Sequence, residues 1–390
     1  MIARMGEIEL GQGTGPLRGV RVVEIAGIGP GPHACMLLAD LGADVVRVER
    51  PGGSLMTGGA TDLLNRGRPS VALDLKHPEA AGVVLDLVAD ADLLVEGLRP
   101  GTTERLGIGP EECLARNPRL VYGRMTGWGQ DGPLARAAGH DVNYVALTGA
   151  LFGLGQDPRR PHFPANLVGD FGGGSTYLVV GLLAALWEAR ASGEGQVVDA
   201  AIVDGTAHLN AMTSGFVAAG HHREERAVNL LEGGAPFYDL YETSDGRHVS
   251  VGALEPQFWA ELVRLLELTD VPDRDDPATW PALRELLADT FARRTLAEWT
   301  ALFDGTDACV APVLTMSEAP QHPHVAARGT FVDHGGLTQP APAPRFSRTP
   351  ASLTRPPAPV AGADTRAALT AWGVTDVAGL LERGVAVQPD

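Results

Sequence analysis

Three short stretches hold the residues best suited to proton chemistry. RAAGHDVNYVALTG (136–149) sets His140 and Asp141 side by side just before an apolar run. An imidazole with an ordinary pKa of about 6.5 accepts and donates a proton near neutrality. Nothing around it offers a metal, a phosphate or a nucleophile, so taken alone it reads more readily as a satisfied structural group. DFGGGS (170–175) places Asp170 before three consecutive glycines. Glycines are poor helix formers, and a run of them points to close backbone approach to a ligand, although Asp170 is equally readable as a helix N-cap. Glu255 directly precedes Pro256 at a helix start, where charge–dipole stabilisation alone accounts for an acid. Asp141 reads as an N-cap at the start of its own helix.

VVEIAGIGPGPHACMLLADLGADVVRVER (22–50) has the layout of a dinucleotide fingerprint: strand, glycine turn, helix, strand, acidic residue. The spacing fails. Gly27 and Gly29 fit G-x-G-x-x-G, but Pro32 takes the third glycine position, and Pro30 and Pro32 remove N–H donors from the turn that would hold a pyrophosphate. Glu49 could hold a ribose hydroxyl, yet alone it is weak support for nicotinamide or flavin. Basic residues mark the predicted strand ends instead: Arg47 and Arg50, then Lys76, then Arg99, with Arg105 opening the next helix. Lys76 is the single lysine of the chain. Such a cluster suits a ligand carrying several phosphates, and solvated charges at loop entrances are the plainer account.

The elements that must position these residues alternate. Strands are predicted at 20–27, 44–52, 70–76, 92–101, 120–129 and 195–205, with helices at 33–43, 79–91, around Thr103 to Leu106, at 173–191 and from Thr206. That alternation predicts an α/β fold with a Rossmann-like, doubly wound parallel sheet, and ligands at the carboxyl ends of its strands. From 227 the texture changes to an antiparallel hairpin around a Ser-Asp-Gly turn, with amphipathic helices at 255–267, 280–293 and 295–303. We divide the chain into a flexible N-terminal extension (1–15), a large domain (16–210), a linker (211–232), a smaller α/β domain (233–325) and a proline-rich return segment with the C-terminal part of the large domain (326–390).

Composition narrows the class. A hydrophobic fraction of 44% with 20% charged residues suits a soluble enzyme of two domains over 390 residues. The net charge of −17 leaves no basic surplus for nucleic acid. The longest apolar run, Tyr177 to Trp187, is too short for a bilayer, and the start has no signal-peptide core. Three cysteines, Cys35, Cys113 and Cys309, without metal-ligand spacing, point to a reducing compartment, the cytoplasm by default.

PLRGVRVVEIAGIGPGPHACMLLADLGADVVRVERP, followed in order by LDLK, GLRPGTTERLGIG, MTGWGQDGP, GHDVNY, NLVGDFGGGS, GQVVDAAIVDG, LEGGAPFYDLYETSDGR, LEPQFW and DACVAPV, resembles the family III CoA-transferase superfamily, and within it the racemase branch. The likeness runs from about Pro16 to Pro350. It implies a large Rossmann-like domain, a small α/β domain, and a homodimer interlocked like chain links, with an active site shared between subunits. It implies an acyl-CoA substrate without a further cofactor or metal. Carried over by motif, CoA contacts fall on Arg50, on Leu73, Asp74, Leu75 and Lys76, on Gly97, Leu98 and Arg99, on Arg105, and on Gly139, Asp141, Asn143 and Tyr144. His140 and Asp170 are implied as the acid/base pair, with Glu255 orienting His140. The implied reaction interconverts (R)- and (S)-2-methylacyl-CoA thioesters.

Inversion at such a carbon removes the α-proton from one face and returns one to the other, which calls for two groups in opposite protonation states. A carboxyl in an apolar site has its pKa raised, which brings the acid form of Asp170 within reach. Free N–H groups at the helix start near Asp141 could hold the enolate oxygen. One rival is a CoA transferase of the same fold, in which the residue matching Asp170 is a nucleophile; the resemblance implies that transferases lack a histidine at the GHD position. The other rival is a catalytically silent CoA-binding homologue. The loop Gly153 to Phe163 and the small domain are expected to line the acyl pocket.

Overall fold

The computed structural model describes residues 8–53 and 59–389. Its contacts divide the chain into two units. The first comprises the residues up to Thr148, Ala165–Leu209 and the chain from Ala327; the second comprises Gly149–Pro164 and Asn210–Ala326. The second unit therefore takes the 149–164 segment, which the sequence assigns to the large domain.

Strands are β1 (Arg21–Ile25), β2 (Asp44–Glu49), β3 (Ser70–Leu73), β4 (Leu93–Glu96), β5 (Val121–Thr126) and β6 (Gln196–Ala201) in the first unit. The second unit holds β7 (Tyr238–Glu242), β8 (His248–Gly252) and β9 (Val310–Pro312). The returning chain adds β10 (Phe331–His334), β11 (Leu337–Pro340) and β12 (Ala386–Val387). The main sheet runs β12-β3-β2-β1-β4-β5-β6, all parallel except β12, which pairs antiparallel with β3. The strand order reverses between β1 and β4, so a crevice opens beside their carboxyl ends.

Successive strand residues point to opposite faces, and both faces are covered. Val22, Val45 and Leu93 pack under helices Pro30–Asp40 and Tyr177–Ser192; Val23, Val46 and Leu94 pack under helix Ala80–Ala89 and the C-terminal Trp372. Each fully buried aliphatic contributes roughly 1.5–3 kcal/mol. By length and composition the helical stretch Leu167–Ser192 could cross a membrane, longer than the apolar run read from sequence. Here Leu178 and Leu182 lie over Gly123 of β5, where a Cβ would come within 2.8 Å of Leu182.

A buried ionic cluster ties the first strands together. Glu24 on β1 accepts hydrogen bonds from Arg47 on β2 and, at 2.6 Å, from Arg68, which is 1% exposed. Arg68 also donates to the Pro32 carbonyl at 3.0 Å, which pins the turn after β1. Arg47 is thus a structural ion-pair partner, not a free phosphate ligand as the strand-end pattern suggested. Glu49 is likewise buried, beside Arg47 and accepting from Ser70.

Other differences have local causes. The third strand stops at Leu73 because Asp74 turns the chain, accepting the Lys76 N–H at 3.1 Å. The sixth ends at Ala201 and enters helix Ile202–Leu209 without a loop. The described part of the N-terminal extension is anchored: Gly11 N–H donates to the Asp44 carboxylate at 2.8 Å, and Ile8 and Leu10 touch the core. In the second unit β7, β8 and β9 form an antiparallel sheet over Phe291 and Trp299, whose rings lie 5.2 Å apart.

Candidate active site

A cavity of about 550 Å³ opens at the carboxyl ends of β1, β4 and β5. Its walls include Gly29 and Pro30, Gly97 to Arg99, Trp128, Gly139 to Asp141, Tyr144, Asn166 and Asp170. His140 and Asp170, thirty residues apart in the chain, therefore face one space.

His140 occupies the extended N-cap position of helix Asp141–Leu147, and its N–H donates to Asn143 Oδ1 at 3.1 Å. The cap is His140, so Asp141 is the first helical residue and not the N-cap expected from sequence. Tyr144 closes the back of this helix. A Cβ at Gly127 would overlap its ring, its hydroxyl donates to the Gly139 carbonyl, and Trp128 meets it edge-on at 4.7 Å. Burial, and then the charge of Asp170, raises the Tyr144 pKa. The phenol is held in its neutral form.

Asp170 lies on a π-helical stretch, Leu167–Thr176, that runs into the α-helix Tyr177–Ser192. Such stretches recur where a helix must present a functional group. Asn166 Nδ2 donates to Asp170 Oδ2 at 3.2 Å. Burial raises the Asp170 pKa, with the charge of Asp141 acting in the same direction. Gly29 has φ +66°, and a Cβ there would stand 3.2 Å from Asp170 Oδ2. The glycine turn that imitated a dinucleotide fingerprint makes room for this carboxyl instead.

The three glycines after Phe171 serve helix packing more than ligand approach. A Cβ at Gly205 would overlap the Gly173 carbonyl, and one at Gly174 would lie 3.3 Å from the Pro30 side chain. Behind Asp170, His33 Nδ1 and Ser175 Oγ share a 2.6 Å hydrogen bond, and the His33 ring stacks on Phe171 at 4.4 Å.

The remaining sequence candidates are placed as follows. Gly97, Leu98 and Arg99 line the cavity beyond β4, as do Gly139, Asp141 and Tyr144, whereas Asn143 braces His140. Arg50 is exposed just beyond β2. Asp74, Leu75 and Lys76 follow β3, while the Leu73 side chain is fully buried in the core. Arg105 is exposed and donates to Thr102 Oγ1 at 3.0 Å. Glu255 lies in the second unit, at the N-cap position of helix Pro256–Leu265 but without a side-chain capping bond. Sequence reasoning missed Gly29, and Asn166 as a partner of Asp170; the only available signal for the latter was its place four residues ahead in the same motif.

The sequence model of CoA-transferase family III matches residues 17–365. The chain belongs to that family. Among curated family members, α-methylacyl-CoA racemase of Mus musculus is 45% identical over 360 residues, covering 92% of this chain and 93% of its own. The Homo sapiens protein of the same name is 42% identical over 360 residues, covering the same shares of the two chains. Among solved structures, a CaiB/BaiF family protein from Brucella suis superposes with a TM-score of 0.78 at 27% identity, covering 91% of this chain and all of that one.

Proposed function

We propose that this protein is a racemase that interconverts (R)- and (S)-2-methylacyl-CoA thioesters by proton transfer between His140 and Asp170. The observation that carries this reading is the meeting of an imidazole and a half-buried carboxyl in one cavity. The similarity to two α-methylacyl-CoA racemases supports it.

In one direction the neutral His140 ring takes the α-proton while Asp170 is protonated. The C–H electron pair moves into the C–C bond, and negative charge gathers on the thioester oxygen. Asp170 then gives its proton to the opposite face. The reverse direction exchanges the roles, as microscopic reversibility requires. The N–H of Asp141, on the first turn of its helix, is the donor assigned to the enolate oxygen. Burial and the neighbouring Asp141 charge support the acid form of Asp170, which is the state one direction needs.

The residues at the ends of β2, β3 and β4, namely Arg50, Asp74 to Lys76, Gly97 to Arg99 and Arg105, are assigned to the nucleotide and pantetheine. Glu255 is assigned the orientation of His140. The working form is a homodimer in the cytoplasm, and the reaction as written uses only the chain's own groups and the acyl-CoA.

The rival transferase reading makes Asp170 a nucleophile that forms an anhydride, then an enzyme–CoA thioester. It leaves His140 without a task. Incubation of a 2-methylacyl-CoA in deuterated water, with no acceptor acid, separates the two. The racemase incorporates deuterium at the α-carbon and epimerises it. No exchange, with transfer of CoA to a free acid once one is added and release of the 2-methyl acid, would establish the transferase instead.

A further inference from the structure

The oxyanion role given to Asp141 uses its backbone and leaves its carboxylate unexplained. That carboxylate reaches across to the other acid/base element. Its Oδ1 accepts the Asp170 N–H at 2.7 Å, and the Gly169 N–H also donates to the same side chain. The first turn of a helical segment has N–H groups without intrahelical partners, and here a residue from another helix supplies their acceptor. Only glycine at 169 permits the approach: a Cβ there would overlap Oδ1 and lie 2.8 Å from Cγ of Asp141. Asp141 is thus one peptide bond from His140 and one hydrogen bond from the backbone of Asp170.

We propose that the Asp141 side chain is a positioning residue for the proton-transfer reaction, fixing Asp170 against His140 across the cavity. The inference rests on the racemase reading and deepens it. Two groups that must reach opposite faces of one carbon need a fixed separation, because a misplacement of about 1 Å costs on the order of a hundredfold in rate. A bond from the residue after His140 to the amide of Asp170 supplies that constraint.

The carboxylate also acts through its charge. After burial, it is the main influence that raises the Asp170 pKa, while the Asn166 hydrogen bond and His140 oppose it. Tyr144, on the same helix as Asp141, faces Asp170 as a phenol whose own pKa is raised. Arg99, beyond β4, acts in the opposite direction on Tyr144. Gly29 and Pro30, on the turn after β1, bring no charge to the carboxyl. Asp141→Asn keeps an acceptor oxygen and removes the charge; Asp141→Ala removes both; Gly169→Ala displaces the carboxylate without altering it.

The test compares these three variants with the wild type in α-proton exchange of a 2-methylacyl-CoA, measuring kcat and KM from about pH 5 to 9, with CoA binding by calorimetry. Asp141→Ala and Gly169→Ala should lower kcat by about a hundredfold, with KM and CoA affinity within about threefold. Asp141→Asn should keep at least about a tenth of kcat, and its Asp170-dependent limb should move to lower pH, because a like charge has been removed. This isosteric variant carries the test if the alanine variants do not fold. A kcat within about threefold of wild type in Asp141→Ala overturns the inference. So does an Asp141→Asn enzyme that loses activity with an unmoved pH profile, which marks a merely structural role. A wild type that exchanges no proton contradicts the racemase reading; an active wild type with indifferent variants contradicts this inference alone.

Discussion

Absent side chains shape the site at the residue scale as much as charged ones do. Gly29 holds φ +66° with its α-carbon turned toward Asp170 Oδ2. Gly29→Ala should therefore cost about 1 kcal/mol in stability from the left-handed backbone and lower kcat roughly tenfold by pushing the carboxyl aside. Denaturant unfolding and steady-state kinetics check both, and an unchanged kcat would detach this turn from the chemistry. His140, Asp170 and Glu255 stood out in the sequence only through the family motifs that hold them; the structure puts the first two on one cavity and Glu255 in the second unit. The parts played by Gly29, Asn166 and the Asp141 carboxylate were not legible there, since each depends on which backbone lies opposite. The same glycine turn looked like a failed nucleotide loop because its spacing is a local property and its purpose is a tertiary one.

At the scale of elements, the central strands were legible because buried parallel strands are nearly continuous β-branched runs, as in RVVEI and DVVRVE. Strand β12 was not: two residues carry no period, and its place is set by pairing with β3. Nor did the three glycines reveal a π-helical stretch, whose geometry is held by contacts with helix Ile202–Leu209 and by the His33–Ser175–Phe171 group. Burial, followed by the charges of Arg66 and Arg68, lowers the His33 pKa to about 4. The unfolded residue takes its proton near pH 6.5 and the folded one near 4, so between these values the unfolded chain binds more protons. Stability linked to His33 is complete above that window and is lost as pH falls through it. His33→Phe keeps a ring on Phe171 and removes the titration. Urea midpoints at about pH 7 and about pH 5 should show a smaller acid loss in the variant than in the wild type, whereas equal losses would show that His33 does not titrate this way.

For the whole molecule, the change in texture placed the cut between about 210 and 230 with a linker at 211–232, whereas contacts divide the chain at Asn210 and put that segment in the second unit. Gly149–Pro164 joins the second unit, which no local composition announces. Val180 and Trp187 on helix Tyr177–Ser192 are 61% and 79% exposed, and β6 beside that helix is a sheet edge carrying exposed Val197. These exposed apolar side chains next to a sheet edge are where the proposed homodimer would place its second copy. Sedimentation equilibrium should give twice the 40.8 kDa chain mass, with Trp187→Glu dissociating the pair and lowering activity; a fully active monomer would remove the shared site from the account. The central claim is that His140 and Asp170 pass protons to and from one carbon. Its most direct measurement is α-deuterium incorporation into a 2-methylacyl-CoA by the wild type, His140→Ala and Asp170→Asn, alongside CoA affinity. Exchange with epimerisation is expected in the wild type, with a loss of about 10²–10⁴-fold in each variant while CoA still binds. Exchange within a few-fold of wild type in either variant would contradict that claim.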